Sequence, residues 1–160
     1  MQKRSDFVYM LINLQPDFEF MEGNALVPAK ALEYKTDING NIIEVVKPRT
    51  HIFENKLKAE VGKLLEKVKI FPTKKEVFVS VTYAINSERE YNGFDLDNRT
   101  KALFDALKGV VYDDDSQVKI LVADKLFLKN SSEFYYKFSI KILSPRIEKL
   151  IRHSLEKVRA

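Results

Sequence analysis

The sequence predicts an α/β (α+β) fold: one domain over residues 1–160, with helices packed against a mixed β-sheet. Three observations predict it. Stretches that alternate with period two interleave with stretches whose apolar residues recur every three to four positions, as in helices laid on a sheet. The 160 residues are 45% hydrophobic and 31% charged, which suits one real core and a globular surface. No repeat, low-complexity tract or linker divides the chain.

Phe7 to Leu14 (FVYMLINL) is a β-branched and aromatic run closed by Gln15-Pro16, and it predicts a first strand. Basic residues precede it, as in a secretory signal. The run is short, lacks a small-residue cleavage site and alternates like a strand, so a signal peptide is rejected. Residues 16–30 have weak periodicity with Pro16, Gly23 and Pro28, and predict a loop. Asn39-Gly40 between LEYKTDI and NIIEVV predicts a hairpin whose two turn residues both take positive φ. Its strands are only partly apolar, so the ribbon is expected to stand off the core.

Thr50 is the expected N-cap of a helix over about 51–69, with Phe53, Leu57, Val61, Leu64, Leu65 and Val68 as its apolar stripe. Glu76 to Asn86 is the clearest strand, with Val77, Val79, Val81, Tyr83 and Ile85 on one face. A polar loop, 87–93, leads to a short helix over 98–108 that Gly109 stops. Residues 118–129 and 134–143 predict a second hairpin around Asn130-Ser131-Ser132. Ser144-Pro145 starts a last, basic helix over about 145–159, with Ile147, Leu150, Ile151, Leu155 and Val158 as its stripe.

Cysteine is absent, which excludes disulfides, thiolate catalysis and cysteine zinc sites. The two histidines, His51 and His153, lack a second histidine at helical spacing, which disfavours a zinc site. No apolar run approaches the roughly 20 residues of a membrane span, so no membrane partner is expected. A chain without cysteine suits a reducing cytosol, so a cytoplasmic location is expected. A net charge of +4 fits a polyanionic partner without requiring one.

The chemistry concentrates in FDLDNRTKALFDALKGVVYDDDSQV, residues 94–118. Clustered like charges raise the energy of a folded state unless a cation offsets them. Asp95 and Asp97, two residues apart in an extended segment, project from one face and suit one hard cation or two neighbouring ones. Mg²⁺ takes such oxygen ligands, and so does Mn²⁺. Asn98 is the expected helix cap. Lys101, one turn after Asp97, can reach a phosphate or a leaving oxygen. Asp105 is read as its i,i+4 ion-pair partner. Asp115 is the third candidate ligand, Asp114 an auxiliary, and Asp113 a turn or cap residue. Spaced ligands, central glycine and terminal glutamate of a calcium loop are missing. Carboxylates with a lysine suit metal-assisted phosphodiester chemistry, although Asp-x-Asp pairs are common and often structural.

The ordered set DLDN-x2-K-x3-DAL-x-G-x4-DDSQV, from Asp95 to Val118, resembles the central signature of the RusA family of Holliday-junction resolvases. The resemblance implies a small mixed α/β fold, here with the last helix as an extension. It implies a homodimeric, divalent-metal-dependent endodeoxyribonuclease that cuts four-way DNA junctions symmetrically in recombination and repair. Mg²⁺, or alternatively Mn²⁺, is the implied cofactor and DNA the implied partner. Carried over, the catalytic residues are Asp95, Asp97, Lys101 and Asp115, and the metal ligands are Asp95, Asp97 and Asp115. Three features depart from the family pattern. The stretch after the first predicted strand, NLQPDFEFMEGN, is acidic rather than rich in proline, serine and asparagine and followed by basic residues. Phe94 stands where a basic residue often precedes DLDN. The chain is also longer than compact members, with the last helix as the extension. Two other functions compete: a noncatalytic protein that binds DNA junctions, and a nuclease acting on other branched DNA.

Overall fold

Residues Val77–Ile85, VFVSVTYAI, are largely buried on both faces, and such a strand belongs at the centre of a sheet. In the computed structural model, which describes residues 14–29, 32–46 and 48–159, this strand (β4) has a neighbour on each edge. Before it come β1 (Phe18–Gly23), β2 (Leu32–Thr36), β3 (Ile42–Val46) and helix α1 (Pro48–Leu65). After it come α2 (Glu88–Asn92), α3 (Leu96–Leu107), a 3₁₀ turn (Asp115–Gln117), β5 (Val118–Phe127), β6 (Tyr135–Ile142) and α4 (Pro145–Arg159). The main sheet runs β1-β6-β4-β5, with β5 parallel to β4 and the other pairs antiparallel. It is the mixed sheet with packed helices that the sequence predicts. A parallel pair needs a crossover, and here α2 and α3 supply it.

The helices take the two faces. Leu57, Val61 and Leu65 of α1 and Ala102, Leu103, Ala106 and Leu107 of α3 pack on Val79, Val81, Tyr83, Tyr136 and Phe138. On the opposite face Ile151 of α4 packs on Phe78, Ile120 and Leu143. Leu64 and Leu150, assigned to apolar stripes from periodicity, are exposed.

Several sequence expectations need correction. Residues 7–13 of the expected first strand lie outside the described residues. The expected loop over 16–30 contains β1, whose alternate residues Phe18 and Phe20 face the core. Phe20 stacks on Phe138 of β6 at 5.4 Å. Glu22 holds the third inward position because the Tyr136 hydroxyl donates to it at 2.6 Å. The expected hairpin of residues 118–129 and 134–143 does not form, because β4 lies between β5 and β6. The connection passes the end of β4, where Asn86 Nδ2 donates to the Ser131 carbonyl at 3.1 Å. Thr50 is buried within α1, donating to the Ala29 carbonyl, and Pro48 opens the helix.

The β2–β3 ribbon forms a sheet of its own, as expected, but its turn differs. Gly40 has φ +80°, while Asn39 stays out of the left-handed region. The Asp37 carboxylate accepts from the amides of Asn39 and Asn41, each at 2.8 Å, and closes the turn.

Candidate active site

The site begins at the crossover from β4. Ser87 caps α2 by accepting from the Glu90 amide, so the expected polar loop contains a short helix. Lys125, on β5, then reaches across the end of α2. Its Nζ donates to the Tyr91 carbonyl at 2.7 Å and to the Phe94 carbonyl at 3.4 Å, and lies over the Tyr91 ring. This clamp fixes the backbone immediately before Asp95.

Asp95 is the N-cap of α3: its Oδ1 accepts from the Asn98 amide at 3.1 Å. The cap is therefore Asp95 rather than the expected Asn98. Asp95 alone is extended, and Asp97 already belongs to the first helical turn, so the pair is not displayed along a strand. Both side chains are exposed, and neither forms an ion pair among the described residues. The positive end of the helix favours carboxylates at these positions. Lys101, one turn on, is exposed and has no hydrogen bond or ion pair among the described residues. Its expected pairing with Asp105 does not occur.

Asp105 pairs instead with Lys108, at 3.2 Å. Lys108 Nζ also lies 3.6 Å from Asp115 Oδ2 and 3.7 Å from Asp114 Oδ1. Partial burial works against the charge on Lys108, but the hydrogen bond to Asp105 and the fields of Asp105, Asp115 and Asp114 outweigh it and raise its pKa. The chain is turned back to this lysine by Gly109, at φ +80°, and by buried Tyr112, whose hydroxyl donates to the Phe104 carbonyl.

Asp114 caps the 3₁₀ turn in a capping box with Gln117, whose Oε1 accepts from the amides of Asp113 and Asp114. Hydrogen bonds from Ser116 hold the Asp114 carboxyl below its ordinary pKa. Gln117 Nε2 in turn donates to the carbonyls of Thr73 and Lys75, which pins the turn to the segment before β4.

The structure thus brings Asp95 and Asp97 together at the start of α3 and joins Asp115 to Lys108 near the end of that helix. Among the described residues it gathers no three carboxylate or histidine side chains into one metal-holding cluster. Sequence reasoning missed Lys108 and Lys125. The Asp105-Lys108 i,i+3 spacing was a usable signal for the first. The role of Lys125 depends on the parallel pairing of β5 with β4, and local spacing carries no trace of it.

No helix among the described residues is long and apolar enough to cross a membrane. A search of the curated proteins finds no match. The family model for endodeoxyribonuclease RusA matches residues 12–135, from before β1 to the first residue of β6, and leaves α4 outside the match. The matched region holds both acidic groups, Lys101 and the crossover that carries them. The chain belongs to the endodeoxyribonuclease RusA family.

Proposed function

We propose that the protein is a metal-dependent endodeoxyribonuclease that resolves four-way DNA junctions as a homodimer, by paired symmetric cuts, in recombination and repair. The observation that carries this reading is the exposed pair Asp95 and Asp97 at the start of α3, with exposed Lys101 one turn on. The family supports DNA as the substrate. A two-fold enzyme also suits a two-fold junction.

The donor set fits a hard cation. Asp97 has no hydrogen-bond or ion-pair partner among the described residues, and Asp95 uses one oxygen for the cap. Both are oxygen donors open to solvent, the chemistry Mg²⁺ and Mn²⁺ take while keeping waters. Asp95 and Asp97 would hold the ion; Asp115, here paired with Lys108 and not clustered with them, would join as third ligand only by leaving that lysine. When bound, it supplies stabilisation of phosphate charge and a more acidic water. Lys101 contacts the phosphate and offsets charge that develops on it. Lys108 lies 3.6 Å from Asp115 Oδ2 and offsets its charge, and Lys125 holds the backbone that presents Asp95.

Incubation of a labelled four-way junction with the protein and Mg²⁺ tests the reading. Paired nicks at symmetric positions are expected with Mg²⁺ and none with chelator. Asp97→Asn and Asp115→Asn should abolish cutting and retain junction binding. Absence of cleavage by a folded dimer over varied junction sequences would overturn the proposal. An Asn variant cutting at the wild-type rate would overturn that residue's assignment. Flap and linear duplex substrates separate junction specificity from action on other branched DNA. The distribution of the acidic residues over two groups favours one competitor, a junction binder without turnover. It would bind with steep salt dependence and never cut.

A further inference from the structure

We propose that the cleft beside Asp95, walled by Arg49 and Arg99, is a phosphodiester-binding site that seats a DNA strand next to Asp95. The proposal rests on the reading that the protein acts on DNA. The cleft has a volume of about 600 Å³ and is lined by residues of the segment after β1, of α1 and of the β4–α3 crossover.

Arg99 is the fixed wall. Its Nη1 donates to the Val27 carbonyl at 2.8 Å, and its guanidinium lies 4.5 Å over the Phe94 ring. Those contacts leave Nε buried without an acceptor. A buried donor without a partner is costly, so the guanidinium is held here by its other contacts. Arg49 is exposed and has no ion pair among the described residues. Its charge is felt at Arg99, where burial and then Arg49 depress the guanidinium pKa against the opposing fields of Glu90, Tyr83 and Asp95.

The charge of the lining matches one phosphodiester. Among the described residues it carries two arginines against one acid, Glu90. An anion placed between the arginines relieves their repulsion. The placement is also specific. Asp95 precedes Arg99 by four residues, so the two share a face of α3. A phosphate held in the cleft therefore lies beside the carboxylate that opens the helix. Arginine suits the task because its planar fork meets two phosphate oxygens.

Junction binding is measured in chelator against NaCl concentration for the wild type, Arg49→Gln, Arg49→Lys, Arg99→Gln and Lys63→Gln. Lys63, exposed near the end of α1 and outside the cleft, is the control for general charge. Arg49→Gln should weaken binding several-fold and lower the slope of log K against log salt by about one. Arg49→Lys should restore the slope, and Lys63→Gln should leave it at the wild-type value. Arg99→Gln should behave like Arg49→Gln if it folds. Arg49 is exposed, so its variants decide the matter if Arg99→Gln does not fold. A wild-type slope in Arg49→Gln overturns the proposal, and so does an equal loss in Lys63→Gln. Inorganic phosphate should displace DNA from the wild type more than chloride does at equal ionic strength and lose that advantage in Arg49→Gln; an equal phosphate effect in Arg49→Gln overturns the proposal. Arg49-dependent binding by a protein that never cuts with Mg²⁺ sinks the nuclease and keeps the cleft. Cutting with Arg49-independent binding does the reverse, and a wild type that binds no DNA sinks both.

Discussion

At the residue scale, Lys101 and Lys108, which bracket α3's buried apolar residues in sequence, have different duties. Lys101 has no partner among the described residues, so its removal costs the fold little. Lys101→Ala should leave stability within about 0.5 kcal/mol of the wild type. It should lower kcat at saturating junction by about 10²-fold or more. Unchanged turnover would remove it from the mechanism. Buried Tyr83 makes a separate prediction. Burial raises its pKa to about 12, against a favourable hydrogen bond with Thr100 and the field of Arg99. A group whose folded pKa is raised contributes stability fully below its unfolded value, near 10, and loses it as the pH climbs toward 12. The shift corresponds to about 2–3 kcal/mol. Raised values at Lys108, Tyr112 and Tyr136 act in the same direction. Melting curves from pH 9 to 12 should show stability falling above pH 10. Tyr83→Phe should flatten part of that fall while lowering stability at neutral pH, where Thr100 loses its partner. Asp95, Asp97 and Lys101 were legible in the sequence because spacing on one short segment places them. The Lys108 contacts with Asp114 and Asp115 were not, because they exist only after the chain has turned back at Gly109.

At the element scale, the crossover between β4 and β5 is the part that builds the site. Lys125 ties the end of α2 to β5 through two carbonyls, one of which is that of the residue before Asp95. Lys125→Met should therefore slow cleavage by about tenfold or more while junction affinity in chelator stays near the wild-type value. Lys125→Arg, which can still donate to the carbonyls, should recover part of the rate. Equal losses of binding and rate, or neither, would show that the clamp does not position the site. The same element explains the largest misreading of the sequence. Period-two alternation in residues 118–127 and 135–142 marks strands but carries no information about which strands pair. An apolar strand buried on both faces needs neighbours on both edges, and β4 takes β5 and β6 as those neighbours. β1 escaped notice because only Phe18 and Phe20 carry its inward face, with acidic residues between and after them.

At the scale of the whole molecule, three layers divide the labour. The face under α1 and α3 holds the larger core and carries the acidic groups, and α4 covers the other face through Ile151. Ile151→Ala should destabilise the protein by about 2–5 kcal/mol, read as a lower denaturation midpoint. At a temperature where the variant remains folded, its cleavage should match the wild type, because α4 lies across the sheet from the site. Cleavage lost by the folded variant would tie α4 to the chemistry. The fold class was legible because composition and period bound it tightly, while the order of strands was settled by burial over long sequence separations. The cap on α3 has a further meaning in evolutionary terms. Asp95 starts the helix whether or not it ever holds a metal, and asparagine, serine or threonine can do that work nearly as well. A descendant that lost the chemistry would still be selected for a capping residue at position 95. Position 97 carries no such obligation, so it is there, among future relatives, that loss of function should first be written.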